Sequence, residues 1–238
     1  MDILLFIIII LLASILQTST GFGFSIIATP FLLLLFEPKE AIQINLLLSL
    51  VISLALIFKI KKDVDFGILK RFILGSVFGL PAGILIFLMV SVKELKLIVG
   101  IILLVLTVLL LLRYRIMKTG KRDLAVGGLS GLFTTSIGMP GPPLLIYFAG
   151  SNTTKHTLRA TTLAFYLFIY FLSMLIQVFF AGTTKLVWTH SLAALPLVVL
   201  GLFVGQLIFK YISSKLFQIF IYIILLFTGV YLLWEGIF

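Results

Sequence analysis

Two polar, glycine-bearing strings interrupt long apolar stretches: Gln17-Thr-Ser-Thr-Gly-Phe-Gly-Phe-Ser25 and Thr134-Thr-Ser-Ile-Gly-Met-Pro-Gly-Pro-Pro143. Proline lacks the amide N–H and clashes with the preceding turn, so Gly and Pro at this density end a helix. A helix that restarts inside a membrane presents unpaired N–H groups and a positive dipole end. At the first break, Thr18, Ser19 and Thr20 are expected to cap a helix starting near Gly21. The amides of Phe22, Gly23, Phe24 and Ser25 are then donors. At the second, Pro142 and Pro143 suit a helix start, where their missing N–H groups have no intrahelical acceptor anyway. That leaves the amides of Ser136, Gly138, Met139, Gly141 and Leu144, with the hydroxyls of Thr134, Thr135 and Ser136. Two such ends facing each other would form a neutral cradle for a small anion. The competing reading is that small residues merely let helices pack closely. Two breaks at equivalent positions favour a site.

Few other side chains offer chemistry. Asn45 and Gln177 either face a pathway or bond between helices. Arg159, near the start of its helix, either draws anions to the inner mouth or anchors the topology. The Gly79/Gly83 and Gly201/Gly205 pairs read as packing. Gly128-Leu-Ser130-Gly131 matches the G-x-S-G of intramembrane serine proteases, but a serine nucleophile needs a nearby base, and both histidines lie near span edges. The eight carboxylates fall in loops or at ends, leaving none expected at mid-membrane to relay protons. There is no P-loop string for ATP. Zero cysteines and two histidines exclude thiolate chemistry and leave little for a metal site. No metal and no cofactor are expected.

The elements that must position these residues are membrane helices. Of 238 residues, 62% are hydrophobic and 11% charged, with mean hydropathy +1.31. A soluble domain carries about a quarter charged residues, and a core of this size cannot hide so much apolar surface. Apolar spans run from Ala41 to Phe58, Ile68 to Val90, Leu97 to Leu112, Leu158 to Phe180, Leu186 to Phe209 and Leu216 to Trp234. Each approaches the ~20 residues that cross a ~30 Å hydrocarbon core. The interrupted stretches, Ile3 to Phe36 and Leu124 to Gly150, read as helix–break–helix hairpins whose arms of about 10–17 residues are short for a crossing. Met1-Asp2 offers no basic n-region, so the first stretch reads as retained rather than as a cleaved signal.

If each hairpin returns to its starting side, 14 of the 18 basic residues share one side and only Lys39, Lys93, Lys96 and Lys185 lie opposite. The positive-inside rule makes the rich side cytoplasmic and puts both termini outside. The +10 charge therefore orients the chain in a bilayer and does not indicate nucleic acid. An internal repeat supports the layout. Ile101 to Leu112 aligns with Ile223 to Trp234 at an offset of 122, as does Gly79 to Gly83 with Gly201 to Gly205, while the breaks align at 117, Ser19-Thr-Gly21 on Ser136-Ile-Gly138. One hairpin plus three spans is an odd number of crossings, which places the halves upside down relative to each other. The expected fold is an all-α integral membrane protein of two inverted repeats, residues 1–117 and 118–238. Each repeat has one broken, re-entrant-like hairpin and three transmembrane helices, and together they form one membrane domain.

At the breaks the chain resembles a known family. Gln17 to Ser25 followed by Thr29-Pro30 is similar to the first half of the TauE/SafE sulfite exporter family. Gly127-Gly-Leu-Ser-Gly-Leu-Phe133, Gly138-Met-Pro-Gly-Pro-Pro143 and Arg159-Ala-Thr161 resemble its second half. The resemblance implies movement of sulfite, sulfoacetate or another organosulfonate across the cytoplasmic membrane. The function expected is thus a secondary transporter, an exporter rather than an enzyme; a passive anion channel and an intramembrane serine protease are the alternatives. The expected substrate-binding set is Thr18, Ser19, Thr20, Gly21, Phe22, Gly23, Ser25, Asn45, Thr134, Thr135, Ser136, Gly138, Met139, Gly141 and Arg159. Partners are the small anion, the lipid bilayer and, as one option, a second copy in a homodimer.

Overall fold

The computed structural model describes residues 3–112, 119–149 and 153–211, with further positions between 222 and 237. Nine helices are delimited: α1 Ile3–Thr20, α2 Phe24–Leu32, α3 Pro38–Ile60, α4 Phe66–Met89, α5 Val92–Leu111, α6 Gly120–Ile137, α7 Gly141–Ala149, α8 Lys155–Ala181 and α9 Lys185–Tyr211. Among the described residues every regular element is helical. Among the described residues, five helices are long and apolar enough to cross a bilayer: α1, α3 with the 3-10 turn that follows it, α4, α8 and α9. The span expected from Leu216 to Trp234 lies largely outside the described residues.

Local signals set the boundaries. Pro38 opens α3 from the first turn, where a missing N–H costs nothing. The Asp65 carboxylate accepts the Ile68 amide at the start of α4, and the hydroxyls of Thr119 and Thr154 accept the amides of Arg122 and Thr157. Such caps satisfy donors that the helix itself cannot. The outer faces are apolar, with Phe78, Phe179, Leu192 and Phe203 more than half exposed. Polar side chains are turned inward: Gln17, Asn45, Ser49, Thr134, Thr162 and Gln177 are fully buried. That inversion suits a hydrocarbon surround.

The hairpins are less symmetric than the sequence suggests. In each, the first arm (α1 or α6) has 18 residues and the second (α2 or α7) has nine. The long arm measures about 27 Å and the short one about half that. Both hairpins thus pair a nearly full-length helix with a half-length return.

Glycine seams fix the long arms. A Cβ on Gly79 would stand 1.9 Å from the Gly128 carbonyl oxygen, and one on Gly83 would stand 3.0 Å from Thr135 Cβ. Likewise a Cβ on Gly201 would meet Ser14 Cβ at 2.4 Å, and one on Gly205 would meet Thr18 Cβ at 2.6 Å. The Gly pairs are packing residues, as their spacing indicated. Both registers ascend together, so α4 runs parallel to α6 and α1 runs parallel to α9. The ends beginning at Phe66 and Gly120 are neighbours, tied by the Arg71 Nε to Asp123 Oδ2 ion pair at 2.6 Å.

Candidate functional site

The first tip closes α1 with Gly21 at φ 83°, its amide donating to the Gln17 carbonyl at 2.8 Å. Gly23, at φ 108°, precedes α2. Both dihedrals lie where only glycine is at ease. The expected hydroxyl caps do not form. Ser19 Oγ donates to the Leu16 carbonyl at 3.1 Å, Thr20 Oγ1 shares its one proton between the Leu16 and Phe22 carbonyls and accepts the Phe22 amide, and Gly23 provides no side-chain cap. A carbonyl one turn back is always within reach of a helical Ser or Thr, and here it wins. Among the described residues, no acceptor is found for the amides of Gly23, Phe24, Ser25 and Ile26. The donor set is therefore shifted from the expected one: Phe22 leaves it and Ile26 joins.

The second tip has the same design. Gly138, at φ 73°, donates to Thr134 at 2.8 Å, and Met139 donates to Phe133 at 3.1 Å. This paired closure satisfies the last carbonyls of α6 and removes Gly138 and Met139 from the expected donors. The Ser136 amide is likewise inside α6. The hydroxyls of Thr134, Thr135 and Ser136 also turn back, to Ser130, Gly131 and Leu132 carbonyls. With Pro142 and Pro143 in its first turn, α7 keeps only the amides of Gly141 and Leu144 open.

The two open ends lie against each other: a Cβ on Gly141, the first residue of α7, would stand 3.4 and 3.6 Å from side-chain carbons of Ile26 in the first turn of α2. The Phe22 ring, at the start of α2, lies 6.2 Å from the Phe148 ring near the end of α7. A Cβ on Gly138, just before α7, would stand 3.5 Å from Thr29 Oγ1 near the end of α2. The short arms therefore lie side by side and antiparallel, with their first turns overlapping, so that the open amides of α2 and of α7 border one seam.

That seam is polar and buried. Among the described residues Thr29 Oγ1, Asn45 Oδ1 and Tyr166 Oη have no hydrogen-bond partner, and the Tyr170 hydroxyl faces those of Ser25 and Ser49. Tyr166 touches both tips: its hydroxyl would lie 3.0 Å from a Cβ on Gly141, and its ring is 6.5 Å from that of Phe22. Its ring also lies 4.9 Å from Tyr170. Sequence reasoning passed over both tyrosines. Their four-residue spacing on one helix, with hydroxyls that need partners when buried, was the available signal.

Neighbouring amides hold the tips. Asn45 Nδ2 donates to the Gly138 carbonyl at 2.7 Å, Gln177 Nε2 to Thr135 at 2.7 Å, and Gln17 Nε2 to Ser49 at 3.1 Å. Asn45 and Gln177 thus make interhelical bonds, each to a tip. Thr18 is buried with its hydroxyl unpartnered.

Arg159 is not a solvated anchor. It is 6% exposed, with its guanidinium 4.3 Å above the Phe209 ring. Nε and Nη2 have no acceptor among the described residues, and Gly21 packs directly on its backbone. A buried guanidinium with open donors is costly unless an anion completes it. Ser130 Oγ is buried and, among the described residues, has no hydrogen-bond partner. His156 stacks on Phe209, and His190 sits between Phe6 and Phe36. Among the described residues, neither histidine is hydrogen-bonded to Ser130 Oγ.

Compared with known proteins, residues 6–232 match the model of one family, described as Sulfite exporter TauE/SafE. No curated protein and no solved structure gives a significant match.

Proposed function

The chain belongs to this sulfite exporter family of multi-pass membrane transporters, and we propose that it exports a small sulfur-containing anion such as sulfite, sulfoacetate or another organosulfonate. The observation that carries this reading is Arg159, a buried cation with two open donors, packed against the first tip beside free α2 amides. A sulfonate or sulfite oxyanion supplies the acceptors both lack. The binding set comprises the tip residues Thr18 to Gly23 and Ser25, with Thr134, Thr135, Ser136, Gly138, Met139 and Gly141, plus Asn45 and Arg159. Tyr166 and Tyr170 join it as donors along the seam. Ser19, Ser136 and their neighbours act chiefly by shaping the tips, since their hydroxyl protons are engaged.

The proposal includes an inverted repeat of residues 1–117 and 118–238. Three starts share the offset of 117: Ile3 and Gly120, Phe24 and Gly141, Pro38 and Lys155. The Gly83–Thr135 contact is mirrored by Gly205–Thr18, with the roles of the halves exchanged. Alternating access by secondary transport follows from that architecture. The membrane is the cytoplasmic one, with both termini outside and the basic loops inside.

Thermal unfolding of the purified chain across a panel of sulfur anions tests the reading. A specific ligand at a hundredfold its Kd adds about 2.7 kcal/mol; sulfite or an organosulfonate should raise Tm while chloride does not. A flat response across the panel would refute it. Proteoliposome flux that saturates with anion concentration distinguishes a carrier from a passive channel.

A further inference from the structure

A cleft of about 230 Å³ opens where α4 and α6 begin, lined among others by Asp65, Arg71, Thr119, Asp123 and Tyr147. Asp123 is one of the carboxylates expected in loops or at ends, yet it is 1% exposed. The other described carboxylates, Glu37, Glu40, Asp63, Asp65 and Glu94, are exposed or half-buried. Asp123 Oδ2 accepts the Arg71 Nε–H, while Oδ1 is buried and, among the described residues, outside the hydrogen-bonding reach of any N–H. The Tyr147 hydroxyl, fully buried and lining the same cleft, faces this carboxylate.

Arg71 is less fixed than the acid it serves: its side chain is 41% exposed against 2% for that of Asp123. A second carboxylate lies beside it. A Cβ on Gly67 would stand 3.2 Å from Asp65 Oδ1 and 3.8 and 3.9 Å from the two terminal nitrogens of Arg71. Arg71 therefore sits between a buried acid from α6 and a half-buried one at the start of α4. The charged and titratable groups facing Asp123 are Arg71, Asp65 and Tyr147; Lys121 and Arg122 on its own turn are exposed.

We propose that this cleft is the coupling-ion site of the transporter and that the ion is a proton, which replaces Arg71 as the partner of Asp123. The inference rests on the transporter reading above. A buried carboxylate needs a compensating charge or must be neutralised, and two cations are available: the guanidinium and a proton from the water of the cleft. In the exchange, the Arg71–Asp123 bond breaks and Arg71 pairs with Asp65. One proton binds Asp123 Oδ1, and the new carboxyl O–H donates to Tyr147 Oη. The three charges of the cleft go from a net −1 to zero. A metal cation fits this role poorly, because Arg71 stays within reach in both states. Tyr147 carries the exchange to the anion site: it lies on α7, three residues after the open Leu144 amide and next to Phe148, which packs on Phe22 of the other tip.

Infrared difference spectroscopy of the purified full chain through a pH titration reads the proton directly. The carboxyl C=O band of Asp123 should vanish in Asp123→Asn. A carboxyl spectrum unaltered by Asp123→Asn would overturn the proposal. Tyr147→Phe gives a further check: loss of the acceptor should shift the band frequency, and an unshifted band counts against it. In proteoliposomes loaded with sulfite, an imposed pH gradient should change wild-type flux several-fold and leave Asp123→Asn indifferent. An Asp123→Asn flux that follows the gradient as wild type does refutes coupling while leaving the transport reading standing. If wild type moves no sulfite, that reading of the cargo fails, and the infrared result still decides the proton site.

Discussion

Gly21 rests on the backbone of Arg159: a Cβ at position 21 would lie 2.9 Å from Arg159 Cα and 3.2 Å from its carbonyl oxygen. The turn of the first tip and the residue that carries the buried charge are thus joined by the absence of a side chain. Gly21 also needs φ 83°, which costs a non-glycine residue of order 1–3 kcal/mol. Gly21→Ala should lower stability by at least that amount and weaken sulfite binding with it. Gly138→Ala should act similarly, since a Cβ there would lie 2.9 Å from the Asn45 nitrogen that holds the second tip. Thermal unfolding in detergent, with and without sulfite, measures both; wild-type melting curves would contradict the tip geometry.

Removing the charge tests the site chemically. Arg159→Gln should weaken sulfite binding by about 1.5–3 kcal/mol, the range for a hydrogen bond to a charged group. Lys185→Gln, at an exposed position, should change little at physiological salt. Isothermal titration compares them. Wild-type affinity in Arg159→Gln would leave the open amides as the whole site.

The glycine seam between α4 and α6 makes a sharp pair of expectations. Gly79→Ala would put a methyl 1.9 Å from the Gly128 carbonyl oxygen, backbone that cannot rotate away. Overpacking typically costs about 1–3 kcal/mol, and contact with backbone belongs at the top of that range or beyond it. Gly128→Ala meets its nearest atom at 3.4 Å and should stay within about 0.5 kcal/mol. Equal melting temperatures for the two variants would argue against the parallel register.

Orientation is tested with single cysteines in a chain that has none. Gly120→Cys, near Arg71 at the shared α4–α6 end, should react with an impermeant reagent only after permeabilisation. Leu4→Cys, 70% exposed near the start of α1, should react in intact cells. The opposite pattern would reverse the topology.

Much of this arrangement was legible in the chain. The spans expected from Ala41 to Phe58 and from Leu158 to Phe180 correspond to Pro38–Ile60 and Lys155–Ala181; the helices overrun because polar caps extend them past the apolar run. Both breaks fall where Gly21 and Gly138 placed them. The antiparallel overlap of the two short arms was not legible, since glycine reports a turn and not the direction in which the next helix packs. The hydroxyls of Ser19 and Ser136 were assigned forward when the nearer acceptor lay behind them. Asp123 reads as solvated beside Lys121 and Arg122; it is buried because Gly75 and Gly127 let α4 and α6 close over it, a pairing between residues some fifty positions apart.

The two parallel seams also say which parts of the molecule travel together. α4 comes from the first half of the chain and α6 from the second, and α1 and α9 are joined across the same divide. With carbonyl oxygens set where a methyl would be, neither seam has room to slide. A rocking motion that pulled residues 1–117 away from 118–238 would have to tear both. On the proposed carrier reading, the rigid bodies are therefore chimeras of the two halves, divided along a boundary that no cut in the sequence reproduces: expressed as separate polypeptides, the halves should find each other and reassemble rather than fold alone.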